Sequence, residues 1–594
     1  MTYQAPLEDI KMALETAGGL SDLIGRGVLE GIDQDLVASV LEEAARFATE
    51  ELDPLNSLGD REPARLVDGK VVLPAAWQPA YKRWCAGGWA GLPSPVEHGG
   101  QGLPHVVAMA VNEIWSSANL SFALGPLLTQ GAVDAIHMVG SDALKAMYLP
   151  RMVSGEWFGT MNLTEPHAGT DLGMIKTRAE PQADGSYKLK GTKIFISYGD
   201  HELTDNIIHT VLARLPDAPP GTRGISLFLV PKYLVGADGR PGERNDVYPA
   251  GVEHKLGIHG SPTCVMSYGA NGGATGYLVG ELNKGLNHMF IMMNRARLGV
   301  GVQGVAVAER ARQRALAYAK ERTQGRGPKT PAGSMAPIIE HADVRRNLLT
   351  MRALTAAARM ICLATARELD IAERATDAKE RERAGNRVAI LTPIAKAFST
   401  DTGVDVASLA IQVHGGTGFI EATGAAQHYR DARILPIYEG TNGVQALDLV
   451  MRKLPIAGGK VVGALIGEFQ AVATAARASA RPGFQRMGER LGEANAALAA
   501  ASRWLGGVLQ SANPEPALAG ATPYLRLFGI AAGGAYLAKA ALAGRDGANE
   551  ASETHAAVAR FFADSIAPQA LGLERIITEG AGSLASHEAP VFAA

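Results

Sequence analysis

The residue best placed for chemistry is Glu439, in the run RDARILPIYEGTNGVQ from Arg430 to Gln445. It is a single carboxylate between apolar Ile434–Tyr438 and the small residues Gly440, Thr441, Asn442 and Gly443. Val444, Leu447 and Val450 recur at a spacing of three, so a helix begins there, with Thr441 or Asn442 as N-cap and Pro436 closing what precedes. A carboxylate on such a loop is desolvated by its neighbours, which raises its pKa toward that of a base working near neutrality. The helix N-terminus pulls the other way. The approach ILPIY reads as a wall that keeps the carboxylate dry; the plain alternative is a solvated loop residue.

Five further stretches carry usable groups, each with an ordinary structural explanation beside the chemical one. MNLTEPHAGTDLGMIK, from Met161 to Lys176, is a polar glycine-containing loop. Its amides and the hydroxyls of Thr164 and Thr170 can bond a flat heterocycle or an anion. KIFISY, Lys193–Tyr198, is a strand end whose aromatic packs on a planar cofactor or simply in a core. NRARLGVGVQ, Asn294–Gln303, places arginines early in a helix, where they suit phosphate or carboxylate. KERTQGR, Lys320–Arg326, ends that helix with basic residues, which also answer the helix dipole. IQVHGGTGF, Ile411–Phe419, stops a helix at Gly-Gly and allows close backbone approach. It lacks the strand–GxGxxG–helix context of a dinucleotide fold.

The elements that must position these groups follow from pattern. At 594 residues the chain exceeds one core. A hydrophobic share of 47% and a charged share of 20% describe a globular protein, and a net charge of -3 gives no field for nucleic acid. Three scattered cysteines, Cys85, Cys264 and Cys362, argue against disulfides and a structural metal, and suit a reducing cytoplasm. No signal-type segment opens the chain, and no apolar run reads as long enough to span a bilayer. Phe528–Gly544 comes nearest and is broken by Lys539.

Residues 1–155 read as helical, through Asp33–Glu51, Val106–Ser117 and Leu144–Gly155. Residues 156–285 read as a compact antiparallel β domain, barrel or sandwich, with strands at 186–196, 207–212, 224–230, 263–268 and 275–279 and a polar excursion at 236–249. Residues 286–455 read as a four-helix bundle, with long helices over Met289–Thr323, Val344–Ala375 and Arg387–Val413. Residues 456–594 read as an additional, Ala-rich helical domain with turns at NPEP and GRDG. The fold class is α+β in that order.

Together and in this order, LTEPHAGTD, KIFIS, RLGVGVQG, ERTQG, QVHGGTGF and RDARILPIYEGTNGVQ resemble the acyl-CoA dehydrogenase flavoproteins over about residues 40–455. The stretches YQAPLEDI, GDHELTDNIIH, VEHKLGIHGSPTC and GATGYLVGE and the added C-terminal domain resemble its large bacterial members, of the 3-methylmercaptopropionyl-CoA and broad-range fatty acyl-CoA kind. The resemblance implies FAD-dependent α,β-dehydrogenation of an acyl-CoA to the trans-2-enoyl-CoA. Glu439 would be the base, flavin N5 the hydride acceptor, and a ribityl hydroxyl with the Glu439 N–H the oxyanion site.

It further implies flavin contacts from Met161, Leu163, Thr164, Thr170, Phe195, Ile196 and Ser197, and pyrophosphate contacts from Arg322, Thr323 and Gln324. FAD contacts from Gln412, Val413, His414, Gly415 and Gly416, on a neighbouring subunit's cofactor, and from Thr441 and Asn442 follow in the same way. Thr170, Asn294, Arg297 and Gly440 match substrate contacts. Some relatives carry the base just before the helix arginine; that position here is Ala296. Phe195, Tyr198 and Asn294 stand where the family usually has Trp, Asn and Asp. An electron-transferring flavoprotein is the implied acceptor and a homodimer the implied assembly. An oxidase on the same fold, a flavin-bearing nucleic-acid-binding protein and a non-catalytic scaffold are the competing readings. The second is disfavoured by the balanced charge of residues 456–594.

Overall fold

The computed structural model describes residues 2–328, 330–544 and 550–584. The N-terminal region is helical: α1 (Leu7–Thr16), α2 (Gln34–Phe47), α3 (His105–Ala118), α4 (Leu120–Val139) and α5 (Asp142–Val153). Asp33 starts α2 by accepting from Leu36 N at 2.7 Å, and Asn119 starts α4 by accepting from Phe122 N at 3.0 Å. The sequences of α3 and α4 are apolar on nearly every face, so both helices run through the interior. A small hairpin, Arg65–Val67 with Lys70–Val72, is an addition to the expected all-helical region.

The β domain comprises β1 (Trp157–Asn162), β2 (Arg178–Pro181), β3 (Tyr187–Ser197), β4 (Asn206–Arg214), β5 (Ile225–Pro231), β6 (Val247–Val252), β7 (Thr263–Tyr268) and β8 (Ala274–Leu278). They pair in the order β6-β7-β3-β8-β5-β4-β1, and β2 joins both β3 and β4, so β3, β8, β5, β4 and β2 close a small barrel. Two expectations need correction. The domain is not purely antiparallel, since β1 runs parallel to β4 from Trp157↔Asn206 to Asn162↔Val211. The excursion at 236–249 is not merely polar loop. It holds a strand of the hairpin Tyr233–Val235/Pro241–Arg244 and the start of β6. Buried Val247 and Pro249 alternate there with exposed Tyr248 and Ala250, a short strand signal hidden among turn residues.

In the next region α6 (Gly285–Glu321), α7 (Ala342–Arg374) and α8 (Ala378–His414) are long, and two short helices follow, Ala425–Ala432 and α9 (Asn442–Asp448). The four-helix bundle expected there is thus three long helices and two short ones among the described residues. Two glycines seat α8 on α6. A Cβ at Gly301 would meet Ala395 O at 2.7 Å, and one at Gly304 would meet Ser399 O at 2.4 Å. Buried Arg359 of α7 bonds Glu113 of α3 at 2.6 Å and Glu309 of α6 at 3.3 Å, tying three helices together with satisfied charge.

The appended region forms α10 (Lys460–Ala478), α11 (Phe484–Leu509), α12 (Ala521–Ala543), α13 (Glu550–Ser565) and α14 (Gln569–Glu579). It covers the bundle: α12 packs on α7 and α8, with Gly533 against Ala357 and Gly529 against Phe398. One apolar core runs from α1 through α7 and α8 into α11–α14. Of the expected turns, GRDG lies from Arg545 on outside the described residues. The expectation that no segment is long and apolar enough to cross a membrane is also corrected. By length and composition Ala342–Arg374, Ile456–Ala478 and Ala521–Ala543 all are. Lys539 does not break α12 as a helix, and α12 begins well before Phe528. The first and third of these segments are 72% and 78% buried in the protein.

Candidate active site

Between Pro436 and Asn442 the chain makes a tight loop, closed by Asn442 N donating to Pro436 O at 2.9 Å. Glu439 has φ +57 and Gly440 φ +88, two successive left-handed residues. That conformation suits glycine and costs a glutamate about 1 kcal/mol or more, so the surroundings must hold it. Thr441 caps α9 by accepting from Val444 N at 3.3 Å. Lys396, midway along α8, donates from Nζ to Gly440 O and to Asn442 Oδ1, both at 2.9 Å. Asn442 Nδ2 in turn donates to Thr400 Oγ1 at 3.0 Å and Asp401 Oδ1 at 2.7 Å. From α6, Arg297 Nε reaches Glu439 O at 3.4 Å, Nη1 donates to Asn294 Oδ1 at 3.2 Å, and the guanidinium lies over Phe290. Tyr438 OH donates to Gln303 Oε1.

The carboxyl of Glu439 has no hydrogen bond or ion pair among the described residues, and its N–H donates to no protein acceptor. Glu439 is half-buried. Burial pushes its pKa up, against the pull of the Arg297 and Lys396 cations. Burial also lowers Lys396, to about 7, although Glu439 and Asp401 favour its charge. The wall expected from ILPIY is only partial. Leu435 and Tyr438 face the core, while Ile437 is 47% exposed. The dryness at Glu439 therefore owes as much to α6 and α8 as to its own loop. Ala296 is buried, with no carboxylate to compete.

On the β-domain side, β1 carries Met161 next to its last residue, Asn162, and hands over to the loop holding Leu163, Thr164 and Thr170. Glu165 pins this loop, accepting from Lys176 N at 2.7 Å, Thr177 Oγ1 at 2.6 Å and Lys193 Nζ at 2.9 Å. Lys193 Nζ also donates to Leu163 O at 2.9 Å, and Ile194 N to Thr164 O at 2.9 Å. In β3, Ile194 and Phe195 together oppose Val265 of β7, between the pairs Met266↔Lys193 and Cys264↔Ile196. That is a β-bulge, with Phe195 at φ +61 and 60% exposed. Ile196 is buried beside it. Met161 shares a core cluster with Ala296 and with Leu128 of α4, while Leu124 of α4 packs with Leu435. Helix α4 therefore sets the spacing between the Phe195 side and the Glu439 side.

The remaining motif residues are not brought to this place. Arg322, Thr323 and Gln324 follow the C-terminus of α6 and are exposed. Gln412, Gly415 and Gly416 are exposed at the C-terminus of α8, whereas Val413 and His414 are turned inward, with His414 stacked on Tyr318 at 4.5 Å. Thr417 Oγ1 donates to Tyr318 OH at 3.0 Å, so the two helix ends form one cluster. At about 1.5 Å per residue, Gln412 lies about 24 Å along α8 from Lys396.

Four family models match the chain. They are the acyl-CoA dehydrogenase N-terminal domain over residues 37–156, its middle domain over 160–269, its C-terminal domain over 283–454, and a domain described as acetyl-CoA dehydrogenase C-terminal like over 465–588. A 3-methylmercaptopropionyl-CoA dehydrogenase of Ruegeria pomeroyi is 47% identical over 598 residues, covering 98% of this chain and 99% of that protein. The chain belongs to the acyl-CoA dehydrogenase family. A second relative in this family, the broad-specificity linear acyl-CoA dehydrogenase FadE5 of Mycobacterium tuberculosis, is 34% identical over 484 residues, 79% of this chain and 78% of that one. The fold matches a solved acyl-CoA dehydrogenase complexed with FAD from Bacillus anthracis at a TM-score of 0.74 and 20% identity, covering 96% of this chain and 93% of that one. The appended domain lies inside both near-full-length matches.

Four side chains at this acyl-CoA dehydrogenase site escape a reading by motif. Lys396 is a lone lysine in the apolar run ILTPIAKAF, which is the only signal it gives. Glu165 and Lys193 meet across two motifs that each look complete alone. Gln445 is 1% exposed beside Gly440, and both its amide atoms lack a partner.

Proposed function

We propose that this chain oxidises an acyl-CoA thioester to its trans-2-enoyl-CoA, with Glu439 as the base that takes the α-proton. The supporting observation is the state of Glu439: an unpartnered, partly desolvated carboxyl on a strained turn, whose pKa burial raises against the opposing pull of Arg297 and Lys396. The free N–H of the same residue is a donor for the thioester oxygen as enolate charge develops. Arg297 and Lys396 hold the turn through the carbonyls of Glu439 and Gly440.

The family's cofactor is FAD, which when bound supplies the hydride acceptor at N5. The residues present suit it. The hydroxyls of Thr164, Thr170 and Ser197 make no protein hydrogen bond among the described residues, the bulge presents the Phe195 ring to the outside, and the orphaned Gln445 amide lies beside the Glu439 loop. Thr441 and Asn442 stand on that loop, although their side chains are already engaged in capping and anchoring it.

The far cluster of Arg322–Gln324 and Gln412–Gly416 serves a cofactor held mainly by a second protomer, which makes the working unit a homodimer. Its separation from Glu439 along α8 supports that reading. An electron-transferring flavoprotein takes the electrons onward. The substrate is 3-methylmercaptopropionyl-CoA, on the strength of the 47% identity to the Ruegeria pomeroyi enzyme.

A panel of acyl-CoAs that includes this thioester, assayed with an artificial electron acceptor, tests the reading. The highest kcat/KM is expected for the methylthio substrate. A flat or straight-chain preference would replace that substrate, stoichiometric peroxide in air would make the chain an oxidase, and no flavin bleaching with any acyl-CoA would sink the function.

A further inference from the structure

Away from this site, the loop before α3 and the end of α4 bring three donor atoms together. Glu97 and His98 are neighbours on a short 3-10 turn, Val96–His98, ended by Gly99 at φ +89. His137 lies in the last turn of α4. His98 Nε2 is 3.3 Å from His137 Nδ1, and Glu97 Oε1 is 3.5 Å from the first nitrogen and 3.6 Å from the second. The three atoms form a nearly equilateral triangle. A tetrahedral zinc ion with bonds of about 2.0–2.1 Å sets its ligand atoms about 3.3–3.4 Å apart. The triangle has that size already. A hydrogen bond between the rings accounts for one edge, and the two contacts of Glu97, at ion-pair distance, close the triangle.

The donor types select the ion. Two imidazoles and one carboxylate suit a borderline divalent transition metal, whereas calcium and magnesium call for oxygen throughout. The side chains of His98, His137 and Glu97 are 14%, 34% and 66% exposed, so the triangle lies at the water boundary with a fourth position open to solvent. We propose that Glu97, His98 and His137 form a binding site for one divalent transition-metal ion, zinc in the first instance, which pins the 94–103 loop to the end of α4. The ring that donates in the His98–His137 contact moves its proton to its outer nitrogen, and both facing lone pairs then turn to the metal. Ser94 Oγ already donates to Gln130 Oε1 at 3.0 Å, and Arg374 Nη2 to Gly102 O at 3.0 Å, so the loop arrives at the site in a fixed position. The ion acts as a staple: none of its ligands belongs to the Glu439 site.

The test uses the untagged flavin-loaded protein, stripped with chelator and titrated with zinc chloride by calorimetry. Cobalt is then substituted and its visible spectrum recorded. One equivalent of zinc per chain and a four-coordinate cobalt spectrum are expected, with affinity lowered at least about tenfold in His98→Ala/His137→Ala. Flavin content and dehydrogenase turnover are expected to stay at wild-type level, which also reports folding. Should the double variant misfold, His137→Asn, which keeps hydrogen-bonding capacity, carries the same expectation. Zinc affinity unchanged in a folded variant, or no stoichiometric binding by the wild type, overturns the proposal.

Discussion

A glutamate at φ +57 followed by a glycine at φ +88 is an expensive way to place a carboxyl, and the expense is localised at one turn. Glu439→Gln keeps the shape of that turn and removes the proposed base. Turnover should fall about 10²–10⁴-fold while the flavin spectrum stays intact; flavin reduction by a good substrate at wild-type rate would remove Glu439 from its role. Lys396→Met removes both bonds from Nζ to the loop and one of the two cations that act on Glu439. A drop in kcat/KM of about 10–10²-fold is expected from misplacement alone. Losing a positive neighbour raises the pKa of Glu439, so the acid limb of the kcat/KM–pH profile should move to higher pH. A lower kcat/KM with an unmoved limb would make Lys396 a purely mechanical support. The loop that carries Glu439 was legible in the sequence because its turn residues and the helix cap at Thr441 are contiguous. Lys396 was not, because the group it serves lies far along the chain and a single lysine among apolar residues says nothing of where its nitrogen points.

At the level of elements, helix identity was legible and pairing was not. The apolar periodicity of α6, α7 and α8 marks them as helices, but α8 starts at Ala378, earlier than expected, because Asp377 caps it by accepting from Lys379 N at 3.1 Å. The β strands showed in alternation. The parallel pairing of β1 with β4 and the bulge at Phe195 depend on partners distant in sequence, and no local pattern encodes them. Likewise the glycines of RLGVGVQG suggested close packing without naming what packs. In the fold, Gly304 admits the backbone of Ser399, and thereby sets the distance at which Lys396 meets the Glu439 loop. Gly304→Ala should push α8 outward and cost about 1–3 kcal/mol, seen as a lower urea midpoint with unchanged slope. An unchanged midpoint would mean that the helices have slack at this crossing.

At the scale of the whole molecule, the two ends of α6 and α8 serve different places. Arg322→Ala should leave the monomer fold and the Glu439 site intact yet release FAD during gel filtration; undiminished flavin content would break the assignment of the far cluster. The N-terminus is tied down by Asp9, whose carboxylate pairs with Arg352 of α7 and lies 3.1 Å from His555 of α13. Although burial opposes ionisation, His555 and Arg352 together hold its pKa below the ordinary carboxylate value. A depressed acid contributes stability that is full above its unfolded pKa, about 4, and fades as pH falls through the folded value. Asp9→Asn should therefore lower the melting temperature at pH 7, with the gap to wild type narrowing below about pH 4; a constant gap would show that the pair carries no proton-linked stability.

The contact of Gly529 with Phe398 has one more consequence. Phe398 stands two residues beyond Lys396 on α8, so the appended domain braces the back of the helix whose front steadies the reactive turn. Because α7 and α8 share one continuous core with that domain, the two are expected to unfold together. A chain shortened to its first three regions would not be a smaller enzyme of the same kind. It would bare to water the apolar flank of the helix that anchors the Glu439 turn, and would need a different covering before it could work.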